Sequence, residues 1–204
     1  PEWKAHYNNA RAVISRAIDS VPGRDSALIV AGTGEDLPPE IKEFRNIYLN
    51  DIDPAMIKAA RKLLLSLGAN TGTLHDVGGD MLGFLPDIKE YLETMGDNLT
   101  EVEFAQGLRK LNRLRNAGLT AMPAADLTVS SMAFPHIWEE PLIFLRGELQ
   151  KRRGAANCGK LVGILDEIEG NLRSGLFLDH MRMLRQKTSQ FGVIVMITPL
   201  RKIT

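Results

Sequence analysis

Two consecutive stretches constrain this chain more than any others: Ala27–Leu37, ALIVAGTGEDL, and Ile47–Leu64, IYLNDIDPAMIKAARKLL. The first is an uninterrupted apolar run, Ala27 to Ala31, that meets Gly32. Such a run suits a strand covered on both faces, as in a parallel sheet. Gly32 and Gly34 allow backbone angles, and a close approach of ligand, that a Cβ would forbid. The second stretch predicts a strand over Asn46–Asn50 that ends on Asp51. In open parallel sheets, ligands bind beyond the carboxyl ends of the strands. A carboxylate there can accept both hydroxyls of a ribose. Gly32 and Asp51 stand about 20 residues apart, as a nucleotide-binding βαβ unit requires. The pair predicts an α/β chain with a nucleoside-type ligand at its first two strand tips. The competing reading is a doubly wound domain whose glycines serve only the turn.

The length, 204 residues, suits one domain with a substantial core. Lysine plus arginine equal aspartate plus glutamate, 25 each, so no overall field attracts nucleic acid or acidic membranes. The single cysteine, Cys158, excludes an internal disulfide and any multi-cysteine metal site. No apolar run reaches membrane-spanning length and no secretory signal is visible, which leads to the expectation of a cytoplasmic protein. The chain starts at Pro1 rather than methionine, as it would after trimming of a leader or tag.

The remaining elements are read in order. Glu2–Val21 carries Trp3, Tyr7, Ala10, Val13, Ile14, Ala17, Ile18 and Val21 at helical spacing, with Pro22-Gly23 as its stop. Its expected task is to cover a sheet edge. Tyr7 and Arg11 are the residues through which it would cover a ligand. Pro38-Pro39 opens a short helix over Glu40–Phe44. Glu35 and Asp36 precede it, and Leu37 stands where a pyrophosphate-binding turn would place a third glycine. An acidic turn without that glycine argues against NAD and for a phosphate-free nucleoside carrying a cation. Asp53 caps a helix over Pro54–Ser66 that ends at Gly68. That leaves Asp51 for the ligand.

Gly72–His75 reads as a third strand ending in Asp76, an acceptor for an exocyclic amine such as adenine N6, with Asp80 as the competitor. His75 is a strand-end filler. Helices follow near Asp87–Thr94 and over Thr100–Asn116, the latter opened by a Thr100/Glu103 capping box. Arg109, Lys110, Arg113 and Arg115 form a solvated face there, or else an anion-binding lid. Asp126–Ser130 is the fourth strand, followed by a ligand-lining segment, Ser131 to Trp138, in which His136 is a candidate general base. Pro141–Arg153 reads as a helix, Lys160–Leu165 as a fifth strand, Gly175–Gln190 as a helix and Phe191–Thr198 as a sixth strand. Asp166, Glu167 and Glu169 lack a spaced histidine or other partner, so no metal site is expected.

In order and spacing, VAGTGEDL, LNDIDPAMIKAARKLL, the HD pair at the third strand and DLTVSSMAFPHI resemble the successive motifs of class I S-adenosylmethionine-dependent methyltransferases. The resemblance covers nearly the whole chain. It implies a doubly wound, mostly parallel, Rossmann-like sheet of seven strands with helices on both faces. Residues 82–122 would be a helical insertion, or lid, between strands three and four of one domain. It implies that Ala31, Gly32, Thr33 and Gly34 cradle the amino-acid end of S-adenosyl-L-methionine. Asp51, with Ile52 beside it, would hold the ribose. Asp76 and Val77 would hold the adenine, and Ser130, Ser131 and Met132 would line the methionine and substrate side. The family often carries an acid two residues before the first glycine. This chain has Val30 there, which leaves the amine to Glu35, Asp36 or backbone carbonyls. The family also ends on an antiparallel seventh strand, for which too little chain follows Thr198; either that strand is missing or the chain is cut short.

The function expected on these grounds is methyl transfer from S-adenosyl-L-methionine to a small molecule, with His136 as base where the acceptor must lose a proton. No nucleic-acid or membrane partner is expected, and a homodimer is left open. The rivals are a scaffold protein that keeps the fold without catalysis and, less favoured, a nicotinamide-dependent dehydrogenase.

Overall fold

The computed structural model describes residues 2–30, 32–80, 84–94, 100–111, 122–131, 133–154 and 158–195. They form two compact units. One comprises Pro1–Met81, Met122–Phe134 and Met183–Thr204, and the other Leu82–Ala121 and Pro135–Arg182.

The first unit is an α/β layer structure. Strands β1 (Ser26–Val30), β2 (Asn46–Asn50), β3 (Leu74–Asp76), β4 (Ala125–Ser131) and β5 (Thr188–Val195) form one sheet in the order β3-β2-β1-β4-β5. Every pairing is parallel. The chain leaves β1 toward β2 and β3 on one side and resumes with β4 and β5 on the other. The strand order thus reverses beside β1, where open α/β sheets place their ligand crevice. The arrangement is compatible with a Rossmann-like fold.

Side-chain alternation explains how the sheet is covered. Ala27 and Ile29, Ile47 and Leu49, and Leu127 and Val129 point to one face. They join Ile14 and Ile18 of α1 (Glu2–Ser20) and Ile57, Ala60 and Leu64 of α2 (Pro54–Ser66) in one buried cluster. Ile41 of the 3-10 turn Pro39–Glu43, with Leu37 before it and Phe44 after it, completes the cluster; the turn takes the place of the short helix expected over Glu40–Phe44. Asp53 caps α2 by accepting from the Ala55 amide at 2.8 Å, and Gly68 follows with φ of +92°. At the opposite end of the sheet, Asp126 Oδ2 accepts from the amides of Asp25 and Ser26, both at 3.1 Å, and Ser189 donates to Oδ1 at 3.1 Å. One carboxylate therefore ties together the starts of β1, β4 and β5.

The second unit is helical. It contains α3 (Phe84–Thr94) and α4 (Glu101–Leu111), and most of α5 (Ala133–Arg153) and α6 (Gly159–Lys187). The helices expected at 82–122 thus group with 135–182. Thr100 and Glu103 form the expected capping box, with the Thr100 amide donating to Glu103 at 2.9 Å and the Glu103 amide to Thr100 Oγ1 at 3.3 Å. Arg146 on α5 pairs with Asp166 and Glu169 on α6 at 2.5 and 2.8 Å.

Four expectations are corrected. Lys160–Leu165 is helix, inside the 29-residue α6: Leu161 and Leu165, four apart, are buried while Gly163 is exposed. The helix expected over Pro141–Arg153 begins earlier, at Ala133, soon after β4. The last described strand is the fifth, starting at Thr188 rather than Phe191, and residues 196–198 lie outside the described residues. Five strands, not seven, are present among the described residues. The third strand also starts later than expected, at Leu74, after a 3-10 turn over Thr71–Thr73. Residues 112–121, with Arg113 and Arg115, lie outside the described residues. No helix among the described residues is long and apolar enough to cross a membrane.

Candidate functional site at the strand tips

Register aligns the carboxyl ends of the strands. Val30 stands beside Asn50 on one side and Ser130 on the other, and Leu49 stands beside Asp76. The residues that follow these positions share one rim of the sheet.

The glycine turn follows β1. Gly32 has φ of +93° and Gly34 of +76°, a region that side chains with a Cβ rarely enter. A Cβ on Gly32 would meet nothing within 4 Å, so the turn leaves open space there. A Cβ on Gly34 would come within 3.1 Å of Leu37 Cδ1. Leu37, 2% exposed, is therefore a core residue packed under the turn, which explains the leucine in place of a third glycine.

Asp51 spans the turn and the second strand tip. Its Oδ2 accepts from the Gly32 amide at 2.8 Å and its Oδ1 from the Asp53 amide at 2.9 Å. A carboxylate offers about four lone-pair sites, so two remain for hydroxyl donors. Asn50, buried at the β2 tip, donates to the carbonyls of Val77 and Gly79 at 3.0 and 3.4 Å. The Gly79 amide donates back to Asp51 O at 3.0 Å, and the Val77 amide to Leu49 O at 2.9 Å. The loop after β3 is thereby folded against the β2 tip. Gly78 lies so close that a Cβ would sit 2.9 Å from Ile57 Cδ1. Asn50 was missed from sequence, although a polar residue closing a buried strand is a readable sign.

Between these loops and α2 lies an open cleft of about 610 Å³, lined by Asp51, Ile52, Lys58, Arg61, Asp76 and Gly79 among others. Ile52 is 48% exposed, an apolar surface facing solvent directly after the ribose candidate. Asp76 is not free: Arg61 Nε and an Arg61 terminal nitrogen both bond its Oδ1, at 3.2 and 2.6 Å. His75 accounts for itself structurally, with Nε2 2.9 Å from Asn46 Oδ1 and its ring stacked on Tyr48.

A second polar group covers the turn from α1. Asp36 is 4% exposed, and its Oδ2 has no hydrogen-bond partner within the protein. Burial pushes its carboxyl above the usual range, opposed in part by its own backbone amide and the Arg11 guanidinium. Arg11 donates from a terminal nitrogen to Glu35 O, while its Nε is buried without a partner. Burial, then a hydrogen bond to Glu35, raises the Tyr7 phenol. Tyr7 and Arg11 thus do meet the glycine turn. An ammonium would satisfy Asp36, and a carboxylate would satisfy Arg11.

Of the other expected site residues, Thr33 belongs to the turn and Ser130 is buried at the β4 tip. Ser131 ends β4 and His136 falls within α5. Ala31 and Met132 lie outside the described residues. Among the described residues, no group of three or more histidine, cysteine, aspartate or glutamate side chains is placed to hold a metal. In comparisons with known proteins, the chain matches no family model, no curated protein and no solved structure.

Proposed function

We propose that this protein is an S-adenosyl-L-methionine-dependent methyltransferase acting on a small molecule. The observation that carries the reading is the meeting of three features at one rim of a parallel sheet: a left-handed glycine turn with open space beside it, a strand-tip carboxylate with free lone pairs, and a buried carboxylate oxygen without a partner. The turn and Asp36 fit an α-amino-acid end, Asp51 fits a ribose diol, and exposed Ile52 fits a purine face. A phosphate would be repelled by Glu35 and Asp36, which disfavours a dinucleotide.

In this reading Asp36 holds the ammonium, Arg11 the carboxylate, Asp51 the two ribose hydroxyls, and Ser130 the rim toward the acceptor. The bound cofactor supplies a methyl group already activated by its sulfonium. The chain's own task is alignment and exclusion of water. Balanced charge, 25 against 25, gives no reason to invoke a nucleic-acid substrate.

A second reading, a scaffold that has lost catalysis, is favoured by one observation: Asp51 and Asp76 already hold partners inside the protein. Titration calorimetry with S-adenosylmethionine, S-adenosylhomocysteine and NADH separates the readings. Binding of the first two, weakened at least tenfold by Asp36→Asn, is the expected result. Binding of neither removes the enzyme reading and leaves the scaffold; binding of NADH alone restores the dehydrogenase.

A further inference from the structure

Arg61 is one of two cations on the cleft wall, with Lys58, and its bonding is specific. Two of its nitrogens converge on a single oxygen of Asp76, Oδ1, and a terminal nitrogen also donates to Leu74 O at 3.1 Å. Arg61 thus anchors to the strand backbone and to one half of the carboxylate at once. Both residues line the same cleft, where Asp76 is half exposed and Arg61 is 27% exposed at its side chain. As a plain surface ion pair the contact would contribute little and have no consequence for a ligand. The geometry allows more. A guanidinium fork that occupies Oδ1 restrains the carboxylate's rotation and leaves the lone pairs of Oδ2 for the cleft.

We infer that Arg61 is a positioning residue that fixes Asp76 Oδ2 as a reader of the base, selecting a 6-amino purine over a 6-oxo purine. The inference rests on the adenosine reading above. An ionised carboxylate accepts a hydrogen bond from adenine N6. Hypoxanthine presents a carbonyl oxygen at the same place, so two acceptors would face each other and one bond would be lost. A site built to bond one polar group rejects the analogue that lacks it more strongly than an apolar pocket can. The fork also keeps Asp76 oriented before the base arrives, which lessens the ordering needed on binding.

The test uses the full chain and two probes, S-adenosylhomocysteine and S-inosylhomocysteine, titrated into wild type, Arg61→Met, Arg61→Lys and Asp76→Asn, with a melting curve for each. The expected wild-type preference for the adenine compound is at least tenfold. Arg61→Met should lower that ratio severalfold or more while the melting temperature stays within a few degrees. Arg61→Lys, which keeps the charge without the fork, should fall between. Asp76→Asn, whose amide can donate to a carbonyl, should abolish the preference. A ratio unchanged in Arg61→Met overturns the inference, as does equal wild-type affinity for both probes. Binding of neither probe by wild type sinks the cofactor reading itself. A variant that fails to fold is replaced in the comparison by Arg61→Lys and Asp76→Asn, whose ratios decide the matter alone.

Discussion

Asp51 accepts from the amides of Gly32 and Asp53, so its carboxylate shapes the turn as well as facing the cleft. A strand-tip acid in a sequence reads as free for a ligand; nothing in the one-dimensional pattern reveals that two amides claim it. Asp51→Ala should therefore destabilise the protein by about 1–3 kcal/mol, because two amides lose a charged acceptor. Asp51→Asn, which keeps one acceptor oxygen, should lose less; urea unfolding of the two variants checks the order. Asp36 behaves in the opposite way. Its folded pKa lies above the unfolded value, so its charge at neutral pH works against the native state. Asp36→Asn should raise stability at pH 7 while weakening an ammonium-bearing ligand. Calorimetric melting beside ligand titration measures both halves. Gain of stability with loss of binding would set Asp36 apart from a purely structural carboxylate.

Elements differed in how plainly the sequence announced them. The stretch from Ser26 to Ser66 was legible almost to the residue, because strand, turn, strand and capped helix each carry local signals: an apolar run, Gly32, Asp53 and Pro54. The helical unit was legible in part: its helices near Asp87–Thr94 and from Thr100 onward carry local signals, whereas the length of α6 does not show. Leu161–Leu165 is short and apolar, and such a run suits a strand or a buried helix turn equally well. Its membership in α6 follows from contacts outside the window. Thr188 and Ser189 open β5 with polar side chains, so the strand looked as if it began at Phe191. The tips that hold the candidate site were legible as positions, whereas their partners, Arg61 and Asn50, were not, since hydrogen bonds between distant residues leave no periodic trace. Within the helical unit, α3 and α4 pack through Gly107. A Cβ there would lie 2.2 Å from the Tyr91 ring and 2.3 Å from its oxygen, which itself donates to Phe104 O at 3.1 Å. Gly107→Ala should cost about 1–3 kcal/mol by overpacking, despite the better helix propensity of alanine. Adding Tyr91→Leu should recover part of that loss, and a double-mutant cycle on unfolding free energies reads the coupling.

At the scale of the whole molecule, acid sensitivity should trace to one buried imidazole. His180, 1% exposed, has its pKa lowered by burial to about 4. An unfolded histidine titrates near 6.5, so between those values the unfolded chain binds the extra proton. The contribution of His180 is therefore complete above pH 6.5 and is lost progressively as pH falls toward 4. Wild type should lose about 1.4 kcal/mol by pH 5.5, and about 3 kcal/mol at the limit, relative to pH 7.5. His180→Gln should show a much flatter profile over pH 7.5 to 5.5 by urea unfolding followed with circular dichroism. Asp36 works in the other direction at lower pH, since its protonation favours the native form.

The bracket that Asp51 makes across the glycine turn has a consequence for speed and heat. With its loop already cinched by the Asp51 carboxylate, the rim has the contour a guest would need. Little chain must be ordered on arrival, so docking should proceed as between rigid bodies. The heat-capacity change on docking should then match the apolar area covered and no more.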